Sequence, residues 1–349
     1  MIRLPGWWMW LAACGLGLGC IGPLDNDTVV HDLRILGISM NPPEVQYRTH
    51  GDVQDSLFGV CSVDLTGDIA SASNVTLSAL VGDPAGLGRS LHYVFYGCPQ
   101  TFSGICPDGG GYFLAEGDGP APELTASWPL SQMAEMEFEQ NCPADQDCPA
   151  TPLITALGTD PPGLCRFGID FQVELEVDAP DGETIIGSKL MVFTPVPDDY
   201  PTDAGVCPQG PNGGPPPMLN PALEAFTLDG TALPLDSAPE VSASFSHILR
   251  PIEPSNGPQP YCVPAFDGTW ASLTETWLFS AVTDVGQFDR EMVGGAGSVV
   301  SDQTGPSTDL NFTWTFPDGG PGLTADLYEI TRNGRGGTSW IIRHADVTK

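Results

Sequence analysis

The sequence predicts an all-β protein made of two tandem immunoglobulin-like β-sandwich domains, and three observations support this fold class. Short segments alternate apolar and polar residues, as half-buried strands do. The 349 residues include 42 glycines and 35 prolines, yet 41% of the chain is apolar, which is typical of a turn-rich globular protein rather than a disordered one. No segment has a long helical period, and residues 131–140 favour at most one short helix.

Residues 1–19 have the layout of a secretory signal peptide, because Arg3 precedes an apolar run that ends in small residues before Cys20. Leucine and small residues before a cysteine resemble a bacterial lipoprotein signal, in which that cysteine becomes acylated. We expect lipid attachment at Cys20, since the eight cysteines that follow can then all pair. Cys14, which follows Leu11-Ala12-Ala13, is the alternative attachment site, and an uncleaved membrane helix is a further alternative.

Residues 20–32 are polar and lack periodicity, so we expect a tether that leads into a first domain at residues 33–195. The clearest strand of this domain is residues 169–178, where apolar side chains would face a core while Asp170, Gln172, Glu174 and Glu176 face water. Residues 100–165 are rich in cysteine and glycine and predict an insertion in this domain. Further strands are predicted at residues 33–40, 75–81, 91–97 and 184–193.

Residues 196–220 are rich in proline and glycine, which predicts a stiff linker between the two domains. The second domain is expected at residues 221–349. Turn pairs such as Asn333-Gly334 separate its strands, and core packing is the expected role of Trp277, Trp314 and Trp340. Its strands are predicted at residues 240–248, 273–282, 310–316, 323–330 and 338–347.

Three segments, at residues 33–45, 170–193 and 327–347, resemble uncharacterised bacterial surface lipoproteins with two immunoglobulin-like or PKD-like modules. In that group the first module opens with an arginine-leucine strand followed by Pro-Pro-Glu, which here are Arg34, Leu36, Pro42, Pro43 and Glu44. The last hairpin of the group carries an Arg-Asn-Gly-Arg-Gly-Gly turn before an aromatic residue, which here are residues 332–337 and Trp340. The resemblance implies a fold and a location at the cell surface, and it implies no activity, since none is established for the group.

The cysteines after Cys20 are candidates for disulfide bonds. Several of them precede a proline, which favours extended loop geometry, and their spacing lacks the close pairs of a zinc site, so no metal site is expected. Candidate pairs are Cys98 with Cys106, Cys142 with Cys148, and Cys207 with Cys262, while other connectivities stay open. The full set is Cys61, Cys98, Cys106, Cys142, Cys148, Cys165, Cys207 and Cys262.

The charge of the chain excludes some partners. Twelve basic residues face 44 acidic ones, for a formal net charge of −32, so nucleic acids should be repelled. We expect no cofactor, although acidic clusters at residues 108–119, 144–148 and 196–203 offer oxygen ligands that could suit calcium.

The motifs favour a binding function rather than catalysis. The five histidines are scattered, and no nucleophile elbow or phosphate-binding loop is present. We therefore expect a lipid-anchored surface module, at an outer membrane or cell surface, that binds a surface protein or glycan or acts structurally. The alternatives are a polysaccharide-binding protein or glycan-hydrolase accessory subunit, and a calcium-dependent adhesin. The arginines near the last hairpin, Arg332, Arg335 and Arg343, are expected to pair with Asp326, Glu329 and Asp346. The alternative is that Arg332, Arg335 and Trp340 form a binding edge for an anionic group.

Overall fold

A computed structural model describes the chain in seventeen stretches and confirms that it is built from β-strands. No helix in these stretches is long and apolar enough to cross a bilayer. The predicted signal peptide, Cys14 and Cys20 lie outside them. The described residues are 28–50, 62–63, 74–84, 88–99, 106, 111–134, 137–138, 151–152, 168–198, 200–201, 207–210, 213–223, 225–253, 257–264, 269–295, 309–317 and 320–349.

The N-terminal half contains eleven described strands and one short 3₁₀ helix. They are β1 (Arg34–Asn41), β2 (Glu44–His50), β3 (Ser62–Val63), β4 (Val75–Gly82), β5 (Ser90–Pro99), β6 (Tyr112–Pro120), β7 (Glu123–Trp128), the 3₁₀ helix (Leu130–Ala134), β8 (Glu137–Phe138), β9 (Thr151–Pro152), β10 (Ile169–Asp178) and β11 (Thr184–Pro197).

The N-terminal half is a sandwich of two sheets around one apolar core. The sheets have the strand orders β1-β4-β7 and β3-β2-β11-β10-β5-β6, and β8 pairs with β9 separately. Strand β10 has the bounds predicted from its alternation, and the side chains of Phe171, Val173, Leu175 and Val177 are fully buried. Trp128 stacks on Phe171 with ring centroids 5.8 Å apart, which joins the two sheets.

The outward face of β10 differs from the sequence expectation. Gln172 and Glu174 were predicted to face water, but both side chains are buried. The backbone N–H of Cys106 donates to Glu174 Oε2 at 2.8 Å, and the disulfide between Cys98 and Cys106 holds this loop residue over the sheet. The alternation therefore predicted the strand correctly. Burial of its other face depends on the loop that contains Cys106, and strand periodicity carries no information about that loop.

The predicted insertion at residues 100–165 is wrong for residues 111–134, because this stretch contributes regular strands to the sandwich. Leu114, Leu124 and Trp128 lie in the core. Glycines interrupt the alternation of apolar and polar residues in β6, so the sequence did not predict this strand. At Gly117 a Cβ atom would lie 2.4 Å from Tyr93 Oη, because the tyrosine ring occupies the space of a side chain. The expected helix at residues 131–140 is reduced to the 3₁₀ helix.

The C-terminal half contains twelve described strands. They are β12 (Ala225–Leu228), β13 (Thr231–Ala232), β14 (Glu240–Ser242), β15 (His247–Ile252), β16 (Pro260–Pro264), β17 (Trp270–Thr274), β18 (Trp277–Thr283), β19 (Gln287–Phe288), β20 (Met292–Gly294), β21 (Phe312–Thr315), β22 (Leu323–Asn333) and β23 (Thr338–Thr348).

Two five-stranded sheets enclose the core of the C-terminal half. Their orders are β13-β12-β15-β21-β19 and β14-β23-β22-β18-β20, and β16 pairs with β17 as a separate ribbon. Trp277 and Trp314 are buried in this core, as predicted. Residues 273–282 were predicted as one strand, but the chain leaves β17 and enters β18 in a different sheet at Glu275. Residues 240–248 likewise divide between β14 and β15.

The end of the predicted tether is part of the fold. Thr28 and Val30 flank Thr283 in a short parallel bridge, with the N–H of Val30 donating to Thr283 O at 2.8 Å and the N–H of Thr283 donating to Thr28 O at 2.9 Å. The N–H of Phe288 also donates to Thr28 Oγ1 at 3.0 Å. Residues 28–30 therefore run along the C-terminal half before β1 enters the N-terminal half, and a free tether is wrong for them.

Two residues of the predicted linker, Tyr200 and Cys207, pack against the C-terminal half. Cys207 forms a disulfide with Cys262 of β16. Tyr200 is buried against Trp270, with ring centroids 5.0 Å apart, and its hydroxyl donates to Pro208 O at 2.8 Å. The prolines keep this segment extended, and the disulfide and the tyrosine hold it in place.

An apolar cluster joins the two halves, and we call it the interface cluster. Strand β22 supplies both sides of the contact, since Leu327 points into the C-terminal core while Tyr328 and Ile330 point toward the N-terminal half. The two halves therefore share buried apolar surface as well as a linker. The interface cluster consists of Val30, Leu80, Val282, Tyr328 and Ile330, with Leu36, Trp340 and Ile342 packed on it.

Candidate functional site

The hairpin turn at residues 332–338, which we call the clasp, binds the rest of the chain rather than standing free. Arg335 Nη2 lies 3.1 Å from Glu44 Oε1, and Arg335 Nη1 lies 3.7 Å from Glu275 Oε1. The guanidinium also covers the Tyr261 ring, 4.7 Å from its centroid. The arginine side chain is 11% exposed and the two carboxylates 2% and 3%. Arg335 is therefore occupied by internal partners, contrary to its prediction as part of an exposed edge.

The Arg335 network ties together three parts of the chain. Glu44 at the start of β2 accepts hydrogen bonds from the Met218 N–H at 2.6 Å and from the Thr194 hydroxyl of β11. Burial raises the pKa of Glu275, and the N–H of Gln259 and the charge of Arg335 act in the opposite direction. A buried ion pair needs additional hydrogen bonds to offset its desolvation. Glu44 has them, whereas Arg335 Nη1 and Glu275 Oε1, which lie 3.7 Å apart, have no hydrogen-bond partner among the described residues.

Trp340 contacts the N-terminal half, and the remaining polar groups of the clasp hold the linker. Trp340 Nε1 donates to Glu123 Oε1 at 2.7 Å, which joins β23 to β7 of the other half. Asn333 Nδ2 donates to Leu219 O at 3.0 Å, and the N–H of Thr338 donates to Asn220 Oδ1 at 2.9 Å. The three residues predicted as a binding edge all join the halves, since Arg332 also donates to Leu36 O of β1 at 3.1 Å.

A cleft of about 580 Å³ opens beside the clasp. Its walls are residues 33–38, which run into β1, residues 185–189 of β11, and the clasp. Both strand walls are sheet edges among the described strands, because β1 pairs with β4 alone and β11 pairs with β2 only from Val192 onward. The side chain of Ile186 is 53% exposed at this edge. The cleft therefore lies between the edge strand β1 and residues 185–189 of β11, with polar groups from the clasp.

Three basic side chains line this cleft: Arg34, Lys189 and Arg332. Arg34 is paired, since its Nε and Nη2 donate to Asp32 Oδ1 at 2.9 and 2.6 Å. Lys189 Nζ donates to the hydroxyl of Thr338, and Arg332 donates to Ser280 Oγ at 3.0 Å and to Leu36 O at 3.1 Å.

Lys189 and Arg332 have neutral hydrogen-bond partners, and no described carboxylate lies within 4.0 Å of either group. Burial and the nearby charge of Arg332 lower the pKa of Lys189 to about 7, and burial also lowers the pKa of Arg332. With 44 acidic residues in the chain, two neighbouring cations without a carboxylate are unexpected.

The sequence analysis named Arg332 as part of a candidate edge but did not name Lys189 as a site residue. Lys189 lies at an inward position of a predicted strand, and it is one of two lysines in the chain. A lysine at a core-facing position of a strand in so acidic a protein is a usable signal. Its meeting with Arg332, however, depends on how the two halves pack.

The histidines and the acidic clusters serve separate local contacts. His50 Nδ1 lies 3.0 Å from Asp198 Oδ2, and His92 Nδ1 lies 3.2 Å from Asp118 Oδ1. Two of the acidic clusters predicted for calcium, residues 196–203 and 108–119, therefore each have one carboxylate beside a histidine. Cluster 144–148 lies outside the described residues, as do Cys142 and Cys148. Within the described part of the chain, no three metal-ligating side chains converge on one point. Calcium binding stays a prediction without a located site.

A sugar-stacking platform would need exposed tryptophan side chains. Trp128, Trp277 and Trp314 are buried, and Trp270 and Trp340 are partly buried in packed contacts. No tryptophan in the described stretches is exposed. The polysaccharide alternative therefore lacks the tryptophan surface that it predicts.

Comparison with known proteins assigns no family to the chain. No protein-family model matches it, and no curated protein matches it. The red sea bream transglutaminase structure is 8% identical over 92% of this chain with a TM-score of 0.21, and the chain spans only 32% of that protein. Murine CEACAM1b is 9% identical, with coverages of 90% and 100% and a TM-score of 0.18.

The periplasmic chaperone SfaE is likewise 9% identical to this chain, with coverages of 89% and 99% and a TM-score of 0.23. Scores this low carry no argument about function. The function therefore has to be argued from the site itself.

Proposed function

We propose that this chain is an exported, lipid-anchored surface protein that binds a partner without catalysis, and that the cleft is its binding site. One observation carries the proposal: Lys189 and Arg332 line an open cleft without a carboxylate partner. Its volume of about 580 Å³ is in the range of ordinary ligand sites, roughly 300 to 1,000 Å³. Buried or half-buried cations are normally paired, so an incoming anionic group would complete the site.

The proposed address follows from the cysteines. Disulfides such as Cys98–Cys106 and Cys207–Cys262 persist in oxidising compartments outside the cytoplasm. The proposed anchor is acyl chains on Cys20 (or Cys14, the alternative), as the resemblance to lipoprotein signals implies, and more than one chain is needed for stable attachment. The protein would then stand at an outer membrane or cell surface.

The proposed mode of binding is that of a preorganised site. The clasp is fixed by the Arg335 network, and the interface cluster fixes the strand walls. Because the walls are already held, a partner would dock with little reordering of this chain, which favours affinity. Glu44, Glu275 and Arg335 have structural tasks in this proposal and no chemical one.

The anchor is tested by metabolic labelling with a clickable fatty acid. We expect label on the wild-type protein and on Cys14→Ala, and none on Cys20→Ala. Full labelling of Cys20→Ala would contradict attachment at Cys20, and label missing from all three proteins would contradict a lipid anchor.

The binding site is tested on intact cells by photo-crosslinking. A photoreactive residue placed at Ile186, in the cleft, should give a discrete adduct. The same residue at Leu235, which is 68% exposed and does not line the cleft, should not. Equal adduct patterns at both positions, or no adduct at Ile186, would contradict the cleft as the binding site.

A further inference from the structure

We infer that the cleft binds an aliphatic carboxylate of the fatty-acid type, with its carboxylate against Lys189 and Arg332 and its alkyl chain along the apolar part of the walls. This inference rests on the proposed function, because it names the class of ligand for the same cleft.

The polar end of the cleft lies at the clasp. Lys189 Nζ donates to the hydroxyl of Thr338, and Arg332 Nη2 donates to Leu36 O at 3.1 Å, so both cations lie beside the turn. An ammonium group has three N–H donors and a guanidinium group has five. Among the described residues, Lys189 uses one of these donors and Arg332 uses two, so each cation keeps donors for an anion.

The opposite end of the cleft is apolar. Ile185 and Ile186 line it on β11, and Leu33 and Ile35 line it on the wall that leads into β1. Ile35 and Ile185 pack against the core of the N-terminal half, while the side chain of Ile186 is largely exposed. An alkyl chain at this end would bury apolar surface that now faces water, which favours binding.

The distance between the two ends sets the length of the ligand. Ile185 lies four residues before Lys189 on β11, which at about 3.3 Å per residue is roughly 13 Å. At about 1.5 Å per bond, an extended chain of about eight to ten carbons has a similar length. A medium-chain fatty acid would therefore reach from the two cations to the apolar end of the cleft.

The other charged groups of the cleft leave these two cations for the ligand. Arg34 also lines the cleft, but its Nε and Nη2 donate to Asp32 Oδ1 at 2.9 and 2.6 Å, so its charge is compensated. A carboxylate beside Lys189 and Arg332 would supply the counter-charge that no described residue gives them, through charge-assisted hydrogen bonds.

The net charge of the protein opposes anions at long range and favours a ligand with a single charge. Screening limits this repulsion to about 8 Å at physiological ionic strength. The contacts in the cleft are shorter than this distance, so the local cations decide the outcome once the ligand has entered. A monocarboxylate with an apolar chain therefore fits better than a highly charged anion.

The experiment titrates the full chain with octanoate by calorimetry at about pH 6, where both Lys189 and the carboxylate are charged. Octanol has the same chain without the charge, and acetate has the charge without the chain. We expect octanoate to bind at least about tenfold more tightly than either of them, since it alone gains both contacts. The methyl NMR signals of Ile35, Ile185 and Ile186 should shift on addition of octanoate.

Two pairs of variants locate the two ends of the ligand. Lys189→Met should weaken octanoate binding about tenfold and leave octanol binding unchanged. Lys349→Met, which changes the other lysine, should alter neither. Ile186→Ala should weaken octanoate and octanol alike, by about fourfold, which corresponds to one buried methylene group. Leu235→Ala, at an exposed position that does not line the cleft, should weaken neither, and thermal melting confirms that the variants fold.

The pH dependence tests the charge contact in the unaltered protein. The other charged groups that line the cleft beside Lys189 are Arg332 and the paired Arg34. The pKa of Lys189 is lowered to about 7, so its ammonium group loses its proton between about pH 6 and pH 8. Octanoate affinity should therefore fall about fivefold over this range, while octanol affinity stays constant.

The outcomes separate this inference from the proposed function. Octanol or acetate binding as tightly as octanoate, methyl shifts confined to isoleucines outside the cleft, or unchanged octanoate affinity in folded Lys189→Met overturns the aliphatic carboxylate as the ligand. If a result of this kind accompanies the expected Ile186 adduct on cells, the cleft stands and only the ligand class fails. If octanoate binds as expected but Ile186 gives no adduct, the inference holds in solution and the proposed function fails.

Discussion

Single residues of like charge have different tasks in this molecule. Arg335 is buried between Glu44 and Glu275, while Arg332, three positions earlier in the same clasp, has no carboxylate partner among the described residues. A cation that is already paired has its charge compensated within the fold, and a cation that lacks a counter-charge favours an anionic ligand. The distinction depends on where each side chain points. The sequence motif alone does not distinguish the two arginines.

Asp284 gives a prediction about pH. Burial and the neighbouring Asp326 raise its pKa to about 6, although the Asp326 N–H, which donates to Asp284 Oδ1 at 2.7 Å, and His344 act in the opposite direction. A carboxyl with a raised pKa holds its proton more tightly in the folded state, so its contribution to stability is lost as the pH rises from about 4 to about 6. Asp284→Asn keeps an acceptor for Asp326 and should stabilise the protein at pH 7 by about 1 to 2 kcal/mol after allowance for solvent screening.

The measurement is urea unfolding of wild type and Asp284→Asn at about pH 3.5 and pH 7. The two proteins should have similar free energies of unfolding at the lower pH and should separate at the higher one. Asp236→Asn, at an exposed position, removes the same charge elsewhere and should shift neither value appreciably. A variant that loses stability at pH 7 would show that the charged form of Asp284 is needed.

At the scale of the element, the clasp depends on two glycines. Gly336 has a φ of 110°, which favours glycine, and Gly337 has no room for a side chain. A Cβ atom on Gly337 would lie 2.7 Å from Leu219 O and 2.8 Å from Asn333 Nδ2. The turn therefore approaches the linker as closely as a backbone can.

Gly337→Ala should destabilise the protein by about 1 to 3 kcal/mol, because the added methyl group separates the clasp from the linker and weakens the bond from Asn333 to Leu219. Gly119→Ala is the matched control in β6, since its nearest neighbour would be Leu124 Cδ2 at an ordinary 3.7 Å. Chemical denaturation should give a change below about 0.5 kcal/mol for the control. Equal effects of the two substitutions would mean that the close approach to Leu219 has no energetic weight.

Local elements were predictable where the alternation of one strand decides its structure. The bounds of β10 agree with its pattern, and Trp277 and Trp314 are buried as expected. The burial of Glu174 was not predictable, because Cys106, whose N–H donates to it, comes from a loop.

Contacts between segments far apart in the chain could not be predicted from the sequence, for a different reason. Glu44 and Arg335 are 291 positions apart, and strand periodicity carries no information about such pairs. Lys189 and Arg332 likewise meet only because β11 and β22 belong to halves that pack on each other. The sequence analysis therefore predicted only part of the candidate site: it named Arg332 but not its neighbour Lys189.

At the scale of the whole molecule, the two halves should behave as one unit. Residues 28–30 run along the C-terminal half, the linker is held by a disulfide, and the interface cluster buries apolar side chains from both halves. Each contact alone is modest, but all of them must break before the halves separate. Tandem domains on a free linker would instead unfold independently.

Calorimetry of the full chain tests this coupling. Wild type should unfold in one transition whose calorimetric and van't Hoff enthalpies agree. Leu80→Asp places an unpaired carboxylate in the interface cluster, at a fully buried position whose strand neighbours Ala79 and Val81 face the N-terminal core. Because that charge is costly to bury, the halves should separate first and the single transition should split into two.

Leu235→Asp is the control for this experiment, since Leu235 is largely exposed and the same charge there should leave a single transition at nearly the wild-type temperature. Two transitions in the wild-type protein would show that the contacts between the halves are too weak to couple them. A single, lowered transition in Leu80→Asp would show that coupling survives without the interface cluster. The Arg335 network and the disulfide-held linker would then be the contacts that keep the cleft walls together.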